Sequence, residues 1–342
     1  MKKLRGAVAA FALLAMTLAL SGCMQATDPF AGYKYFQYPT SASLVATTTN
    51  SSSNSLSYPR GLAVVGSDLY VVDSYHNRIV KIVGGASNYL NGTWQAWPAA
   101  ATEAQYTLSS PEGIAVDSTG NSIWIADSAN KRIVHLSSGI TSTTATPYTS
   151  VTVGATYNFD YPTGVALTSD GKTLYVTDPG TEFPENTPAI YKIDVSSGFS
   201  GSARVSGRGS GAYQFSYPRG IAVDSTGTYV YVTDETNYRI DKMSSSNLTS
   251  GWAALGTRGS GTGQFISPQA IALDSSNHIY VVDSGNFWVV KMNDISGAGW
   301  TLYGSQTGYS SDSVCPNWVT VDSSSGYIYV CDDYFQRIAA FQ

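Results

Sequence analysis

The sequence predicts an all-β fold, a ring of six four-stranded blades of the β-propeller type. A pattern of Pro, Gly, Asp and Arg recurs six times with 48 to 56 residues between successive prolines, and a period near 50 residues is typical of propellers and solenoids. The chain of 342 residues is 43% hydrophobic and only 13% charged, which allows a large core and suits β structure. Each repeat also contains short runs of alternating residues, as strands do.

Residues 1–22 have the pattern of a secretory signal peptide. Lys2, Lys3 and Arg5 precede an apolar run from Ala7 to Leu20, which is short for a membrane span. We therefore expect the chain to be exported.

The end of this segment, Leu20-Ser21-Gly22-Cys23, resembles the lipobox of bacterial lipoproteins. The resemblance implies that Cys23 is lipidated and anchors the chain in the bacterial cell envelope, with residues 23–42 as a tether. By the same resemblance, Met24 after the Cys implies the outer membrane where the organism has one. An ordinary signal peptide with a Cys near its cleavage site is the alternative.

The charge balance argues against a nucleic-acid partner. Without residues 1–22 the chain has 16 basic and 24 acidic residues, a formal net charge of −8. Binding to phosphates along a nucleic acid requires clustered Lys and Arg, and no local run supplies them.

The four strands of a repeat are clearest in the fourth copy. The first, Gly220-Ile221-Ala222-Val223, alternates small and branched residues, and its small face suits the crowded strand nearest the axis. The second, around Tyr231, is aromatic and β-branched and ends at Asp234. The third begins at Arg239, and a fourth lies near 251–255.

The last repeat ends after its third strand, at Arg337–Gln342. The stretch Ser43–Thr49 precedes the first strand of repeat one, just as a fourth strand precedes each later repeat. We predict that it completes blade six and closes the ring, which removes two exposed sheet edges.

The combined motifs Pro-x-Gly-Ile-Ala-Val-Asp, Tyr-Val-x-Asp and Asn-x-Arg-Ile resemble the NHL repeat. The resemblance covers residues 43–342, with repeats starting near 58, 110, 161, 217, 267 and 315, and implies a six-bladed propeller. Repeats three, five and six depart most from the pattern and are the better candidates for function. Repeat three has a longer loop at 179–188, and repeat five has Trp288 in place of Arg.

Each second strand ends in Asp, namely Asp73, Asp127, Asp178, Asp234, Asp283 and Asp332. A ring of carboxylates could bind a cation such as calcium. A turn follows each Asp, and in most copies Asn and Arg come next, so we interpret these residues mainly as caps that pair with Arg.

The loop face of the predicted ring is the expected binding surface. The variable residue of Pro-x-Gly traces a ring at the mouth of the channel: Arg60, Glu112, Thr163, Arg219, Gln269 and Asn317. Outside it we place the candidate contacts Tyr75, His76, Phe183, Trp288 and Phe335. Exposed aromatic residues and Arg are common binding anchors, although packing between blades is an equal alternative for each of these aromatic side chains.

The resemblance also leaves an enzyme open, because related propellers include amidating lyases and gluconolactonase-type hydrolases with a central metal. The three histidines His76, His135 and His278 occupy different positions in their repeats, so they do not predict one metal site. Glu112 is the only acidic member of the mouth ring. We predict no cofactor, with a channel-mouth ion such as calcium as the alternative.

Cys315 and Cys331 fall at the same end of blade six, and exported proteins usually oxidise such pairs. We therefore predict a disulfide between them, with two buried thiols as the alternative. The function expected from the whole sequence is a non-enzymatic scaffold that binds a protein, peptide or glycan. A metal-dependent hydrolase or lyase that acts near Glu112 is the alternative.

Overall fold

The computed structural model describes residues 44–47, 55–84, 93–97, 107–140, 148–151, 159–180, 187–197, 203–304 and 315–341. These residues form six four-stranded antiparallel sheets, the six blades of a β-propeller. The predicted fold class is confirmed. None of the helices in these ranges has the length and apolar character needed to cross a membrane.

The strands follow the chain in blade order. The first strand of the chain is β1 (Leu44–Thr47). Blade 1 consists of β2 (Pro59–Val65), β3 (Asp68–Asp73), β4 (Arg78–Val83) and β5 (Thr93–Trp97). Blade 2 consists of β6 (Pro111–Val116), β7 (Ile123–Asp127), β8 (Arg132–Leu136) and β9 (Tyr148–Val151). Blade 3 consists of β10 (Val165–Leu167), β11 (Thr173–Asp178), β12 (Ala189–Asp194) and β13 (Ala203–Ser206).

Blade 4 consists of β14 (Pro218–Val223), β15 (Tyr229–Asp234), β16 (Arg239–Ser244) and β17 (Ala253–Leu255). A short parallel pair, β18 (Thr257–Arg258) and β19 (Gln264–Phe265), leads into blade 5. Blade 5 consists of β20 (Pro268–Leu273), β21 (Ile279–Asp283), β22 (Trp288–Met292) and β23 (Thr301–Tyr303). Blade 6 consists of β24 (Pro316–Val321), β25 (Ile328–Asp332), β26 (Arg337–Phe341) and the N-terminal strand β1.

The ring is closed by the N-terminal strand, as predicted. Strand β1 pairs antiparallel with β26, with Leu44 opposite Phe341 and Thr47 opposite Ala339. The first and last strands of the described residues therefore share one blade, and β26 has a partner on both sides.

Glycine in the inner strands allows neighbouring blades to approach closely. A Cβ on Gly61 would lie 2.5 Å from the carbonyl oxygen of Glu112, and a Cβ on Gly113 would lie 2.3 Å from that of Thr163. Gly164 meets the carbonyl of Arg219 at 2.4 Å in the same way. The backbone of the next mouth residue therefore occupies the space of the missing side chain, which explains the small face predicted for the inner strand.

The blades share one local geometry, which depends on the Asp at the end of the second strand. Asp127 is fully buried and accepts hydrogen bonds from Ser109 N at 2.7 Å, Asn130 Nδ2 at 2.9 Å and Arg132 Nε at 2.6 Å. Asp73 makes the equivalent bond to Arg78 Nε at 2.7 Å. The capping interpretation is confirmed, because these carboxylates fasten the strand end to the turn and to the loop before the inner strand.

Blade 5 also has an Asp at the end of its second strand, Asp283, but it lacks the Arg that follows in most repeats. Trp288 takes the place of the Arg and packs in the core with Phe265, at 4% exposure. Asp283 accepts hydrogen bonds from Ile266 N, Ser267 N and Asn286 Nδ2, at 3.0, 2.8 and 2.6 Å. Burial raises the pKa of Asp283 to about 6, against the lowering effect of these hydrogen bonds.

This shift predicts a pH dependence of stability. The pKa of Asp283 is higher in the folded chain than the usual 3.8, so the protonated carboxyl stabilises the folded state. This stabilisation is fully present below pH 3.8 and is lost as the pH rises through 6. Asp283→Asn cannot titrate at this position. We therefore expect the native chain to lose about 3 kcal/mol of unfolding free energy relative to Asp283→Asn between pH 3.5 and 7.5. Denaturant titration across this range measures it. The exposed control Asp170→Asn should show no such fall, and a flat difference for Asp283→Asn would contradict the shifted pKa.

The predicted disulfide in blade 6 is wrong, because Cys331 is a buried free thiol. Its Sγ donates to the carbonyl oxygen of Arg60 at 2.6 Å, across the seam between blades 6 and 1. Thr233 occupies the same repeat position and donates from Oγ1 to Gln269 O at 2.9 Å in the next blade. The thiol therefore replaces a threonine hydroxyl in a contact between blades.

Candidate binding site at the channel mouth

The six mouth residues named from the sequence all lie within the fold with little exposure. Each directly follows the proline of its repeat, where the pairing register of the first strand shifts in most blades. Their exposure ranges from 0% to 9%. The group consists of Arg60, Glu112, Thr163, Arg219, Gln269 and Asn317.

Arg219 of blade 4 lies near two carboxylates, one from blade 2 and one from its own blade. Its Nη2 lies 3.4 Å from Glu112 Oε2, and its Nη1 lies 3.6 Å from Glu235 Oε2. Burial alone would lower the pKa of Arg219, but the two carboxylates raise it above the usual value. Arg219 is therefore a fixed cation whose charge is balanced within the protein.

The two carboxylates also accept hydrogen bonds from neutral donors. Tyr161 donates its hydroxyl to Glu112 Oε1 at 3.2 Å, and burial raises the pKa of this tyrosine. Gln269 Nε2 donates to Glu235 Oε1 at 3.2 Å, and the hydroxyl of Ser267 donates to the same oxygen. Both oxygens of Glu112 are thus engaged.

Glu235 and Tyr161 were missed by the sequence analysis, although the repeat pattern contains a signal for each. Tyr161 stands directly before the repeat proline, where repeats one and four also have Tyr. Glu235 follows the Asp that ends the second strand, and the equivalent residue of blade 6 is Asp333. This position is Ser in three repeats, so the two acidic residues mark a second ring of variable positions around the mouth.

Arg60 differs from Arg219 in its environment. Its side chain is only 7% exposed, yet among the described residues its guanidinium has no hydrogen bond or ion pair. Its charge acts on Tyr161 and Tyr217, lowering the pKa of both against the larger opposing effect of burial. Its nitrogens are not among the unpartnered atoms that are shut off from solvent, so the guanidinium can reach a ligand at the mouth and Arg60 is a candidate anion-binding group.

Two acceptor oxygens in the described part of blade 6 lack a hydrogen-bond donor. Asn317 donates from Nδ2 to the carbonyl oxygen of Pro59 at 3.1 Å, which places it beside Arg60. Its Oδ1 is buried, and no described residue donates to it. Asp333 Oδ1 is buried without a donor in the described ranges in the same way. Buried polar atoms are normally paired, so these two oxygens are exceptions within the described part of blade 6.

The outer candidates separate into exposed and buried side chains. Tyr75 is 70% exposed and lies near the exposed rings of Tyr58, with centroids 6.1 Å apart, and His76, at 6.0 Å. Phe335 is half-buried and lies 4.9 Å from the exposed ring of Tyr334. The backbone N of Tyr58 donates to Gln336 Oε1, so these loops of blades 1 and 6 are joined.

Trp288 does not belong to this surface, because its ring is packed between blades. His76 is held by a hydrogen bond within its own blade, since its Nδ1 lies 2.9 Å from Asp73 Oδ2. Phe183 lies outside the described residues. We call Tyr58, Tyr75 and Tyr334 the tyrosine rim.

The histidines do not converge. His135 stacks on Trp124 with ring centroids 3.8 Å apart, and His278 Nδ1 lies 2.7 Å from Asp274 Oδ2. Within the described ranges, no three or more His, Cys, Asp or Glu side chains are arranged to hold a metal ion.

Comparison with known families and proteins supports the repeat assignment. The NHL repeat family model matches residues 108–136 and 265–292, which fall in blades 2 and 5. No curated protein sequence matches the chain.

Several solved structures share the fold at low sequence identity. Virginiamycin B lyase from Staphylococcus aureus has a TM-score of 0.53 and 16% identity, covering 82% of this chain and 79% of the lyase. A gluconolactonase from Xanthomonas campestris has a TM-score of 0.60 and 13% identity, covering 84% and 86%. A chain of the nidogen/laminin complex has a TM-score of 0.52 and 19% identity, covering 72% and 83%. The chain is a six-bladed β-propeller, and two of its segments, in blades 2 and 5, match the NHL repeat.

Proposed function

We propose that this chain is a non-enzymatic binding scaffold, anchored in the bacterial envelope through a lipid on Cys23. Its ligand, a protein, peptide or glycan, binds at the channel mouth. The observation that carries the proposal is the guanidinium of Arg60, which has no hydrogen-bond or ion-pair partner among the described residues although Arg219 in the same ring is paired twice. A bound ligand supplies the missing acceptor.

The surroundings of Arg60 support binding at this place. Asn317 adds a fixed polar side chain beside Arg60, because its Nδ2 donates to the carbonyl oxygen of Pro59. The tyrosine rim adds exposed rings on the loops of blades 1 and 6, with exposures of 42%, 70% and 49% for Tyr58, Tyr75 and Tyr334. A few placed polar groups beside aromatic anchors are typical of recognition sites.

The engagement of Glu112 favours binding over catalysis. One oxygen accepts from Tyr161 and the other faces Arg219, so neither is open to act as a base or ligand without breaking these bonds. The fold likeness to a lyase and a gluconolactonase favours the alternative, a metal-dependent hydrolase or lyase at the mouth. Metal analysis and a panel of lactones and esters test that alternative.

Capture from envelope extract tests the binding proposal. We expect Arg60→Gln to reduce recovery of mouth-bound partners at least tenfold, because it removes the unpaired charge and keeps much of the side-chain length. The matched control is Arg258→Gln, which changes an exposed arginine outside the mouth. Equal recovery by the native chain and Arg60→Gln, with equal melting temperatures, would remove the mouth from the proposal.

A further inference from the structure

Two arrangements of the loop before the repeat proline occur among the six blades. In blades 3 to 6 the residue before the proline donates its backbone N–H to the Asp that ends the second strand of its own blade, as Tyr217 N does to Asp234 Oδ1 at 2.8 Å. In blade 1 this N–H donates instead to the preceding blade of the ring, from Tyr58 N to Gln336 Oε1. Blade 2 repeats this second arrangement with Ser110, and we call it the turned loop.

One residue of the preceding blade distinguishes the two arrangements. The last residue of the turn between the second and third strands has a positive φ in each of blades 1, 2, 4, 5 and 6. Before the two turned loops it is an amide, Gln336 or Asn77, whose side-chain oxygen accepts the N–H. Before the loops of blades 3, 5 and 6 it is Lys131, Tyr238 or Phe287, none of which has an amide oxygen. The amide acceptor is therefore the feature that the turned loops share.

The turned loop holds Tyr58 in a costly backbone conformation. Its φ is +49°, in the left-handed region that disfavours residues with a Cβ, and a residue before proline favours an extended backbone. Asp73 Oδ1 accepts the N–H of Ser57 at 2.8 Å. In blade 4, Asp234 Oδ1 accepts both consecutive N–H groups of its loop, at 3.0 and 2.8 Å. Asp73 can accept the N–H of Tyr58 in the same way, so a second bonded state exists for this loop.

The loop arrangement also decides where a tyrosine before the proline points. In the turned loop of blade 1, Tyr58 is 42% exposed and belongs to the tyrosine rim. In blades 3 and 4 the equivalent Tyr161 and Tyr217 are half-buried at the mouth. Tyr161 donates its hydroxyl to Glu112 Oε1 at 3.2 Å. Burial raises the pKa of Tyr217, against the lowering effect of the nearby charge of Arg219. The ring thus points outward in the turned loop and towards the mouth in the other arrangement.

We propose that Tyr58 is a gate at the channel mouth. In the outward state that the structure has, its ring lies on the tyrosine rim, and the guanidinium of Arg60 has no partner among the described residues. When the N–H of Tyr58 moves from Gln336 to Asp73, the backbone loses its positive φ and the ring turns inward over Arg60, two residues along the chain. The gate itself does not depend on what binds, whereas its effect on a ligand rests on the proposed function.

Fluorine NMR of the full chain with 3-fluorotyrosine at position 58 tests the gate without any ligand. The first switch variant is Gln336→Lys, which copies Lys131 and removes the amide acceptor. We expect a soluble paramagnetic chelate to broaden the native signal strongly and the signal of Gln336→Lys at least about threefold less, because the ring has moved inward. Gln336→Phe copies Phe287 and should act in the same way, so the test remains valid if Lys disturbs the turn.

Two control variants separate the acceptor from other effects of substitution. Gln336→Asn keeps an amide, as Asn77 does before blade 2, so the ring should stay outward. Asn77→Lys makes the same charge change before the loop of Ser110, which has no ring, and should leave the signal of position 58 unchanged. If neither switch variant reduces the broadening, the gate is overturned.

Capture from envelope extract shows whether the gate controls the proposed binding. We expect Gln336→Lys to recover about fivefold less mouth-bound partner than Asn77→Lys, which carries the same added charge. A ring that moves inward without changing recovery would retain the gate and count against binding at the mouth. A ring that stays outward, with recovery that still depends on Arg60, would overturn the gate and retain the proposed function.

Discussion

Replacement of Leu44–Thr47 by Gly-Ser-Gly-Ser in the full chain is expected to lower the melting temperature by roughly 10 °C, from a loss of about 5 kcal/mol. The change removes the strand that pairs with β26 and leaves one edge of blade 6 open. It also uncouples the two ends of the ring, and Ile338 and Phe341 on β26 belong to the core shared by blades 6 and 1. Calorimetry measures the effect.

The control for this replacement lies in the same segment of the chain. Residues 51–54, Ser-Ser-Ser-Asn, are replaced by Gly-Ser-Gly-Ser, which changes composition and flexibility without touching β1. We expect this variant to melt within about 2 °C of the native chain. If both variants melt alike, the pairing of β1 with β26 does not stabilise the ring, and the closed architecture would need another source of stability.

The second large effect is expected for Asp127→Ala in blade 2, at about 3 to 4 kcal/mol of unfolding free energy. The carboxylate has 0% exposure, and it binds one backbone N–H, one amide and one guanidinium. Its removal leaves these donors unpaired and Arg132 without its closest counter-charge. Chemical denaturation of the native chain and the variant gives the difference.

Two further variants show whether charge or hydrogen bonding dominates at this position. Asp127→Asn keeps an acceptor oxygen but loses the charge, so we expect an intermediate cost. Asp170→Ala removes an exposed turn carboxylate and should cost far less. An equally small effect for Asp127→Ala would contradict the capping role.

The six aspartates illustrate how far a repeated residue predicts its environment. Asp127 and Asp332 each pair with the Nε of the following Arg, at 2.6 and 2.9 Å. In blade 4 the arginine turns instead to Asp241, 3.0 Å from Arg239 Nε, and lies 4.0 Å from Asp234. Burial raises the pKa of Asp241 to about 6, against the lowering effects of Arg239 and Trp252. The same motif therefore gives different electrostatics in different blades.

The predictions that failed or were incomplete have a common cause. Cys331 was placed near Cys315 from strand order alone, but its thiol faces a carbonyl of blade 1 that lies 271 residues away in sequence. For Trp288, binding and packing between blades were left as equal alternatives, and the structure shows packing, with the ring 4% exposed in the core of blades 4 and 5. Both outcomes depend on the neighbouring blade, which the repeat pattern does not describe.

The sequence by itself determined the strands, the number of blades, the closing strand and the ring of variable residues at the mouth. These features depend on periods of two residues within a strand and about fifty residues between blades, and both are local or regular. Only the tertiary structure decided that Arg219 is balanced by Glu112 and Glu235 while Arg60 is unpaired. The reason is that side chains separated by as many as 107 residues meet at the axis, where distance and burial decide which charges pair.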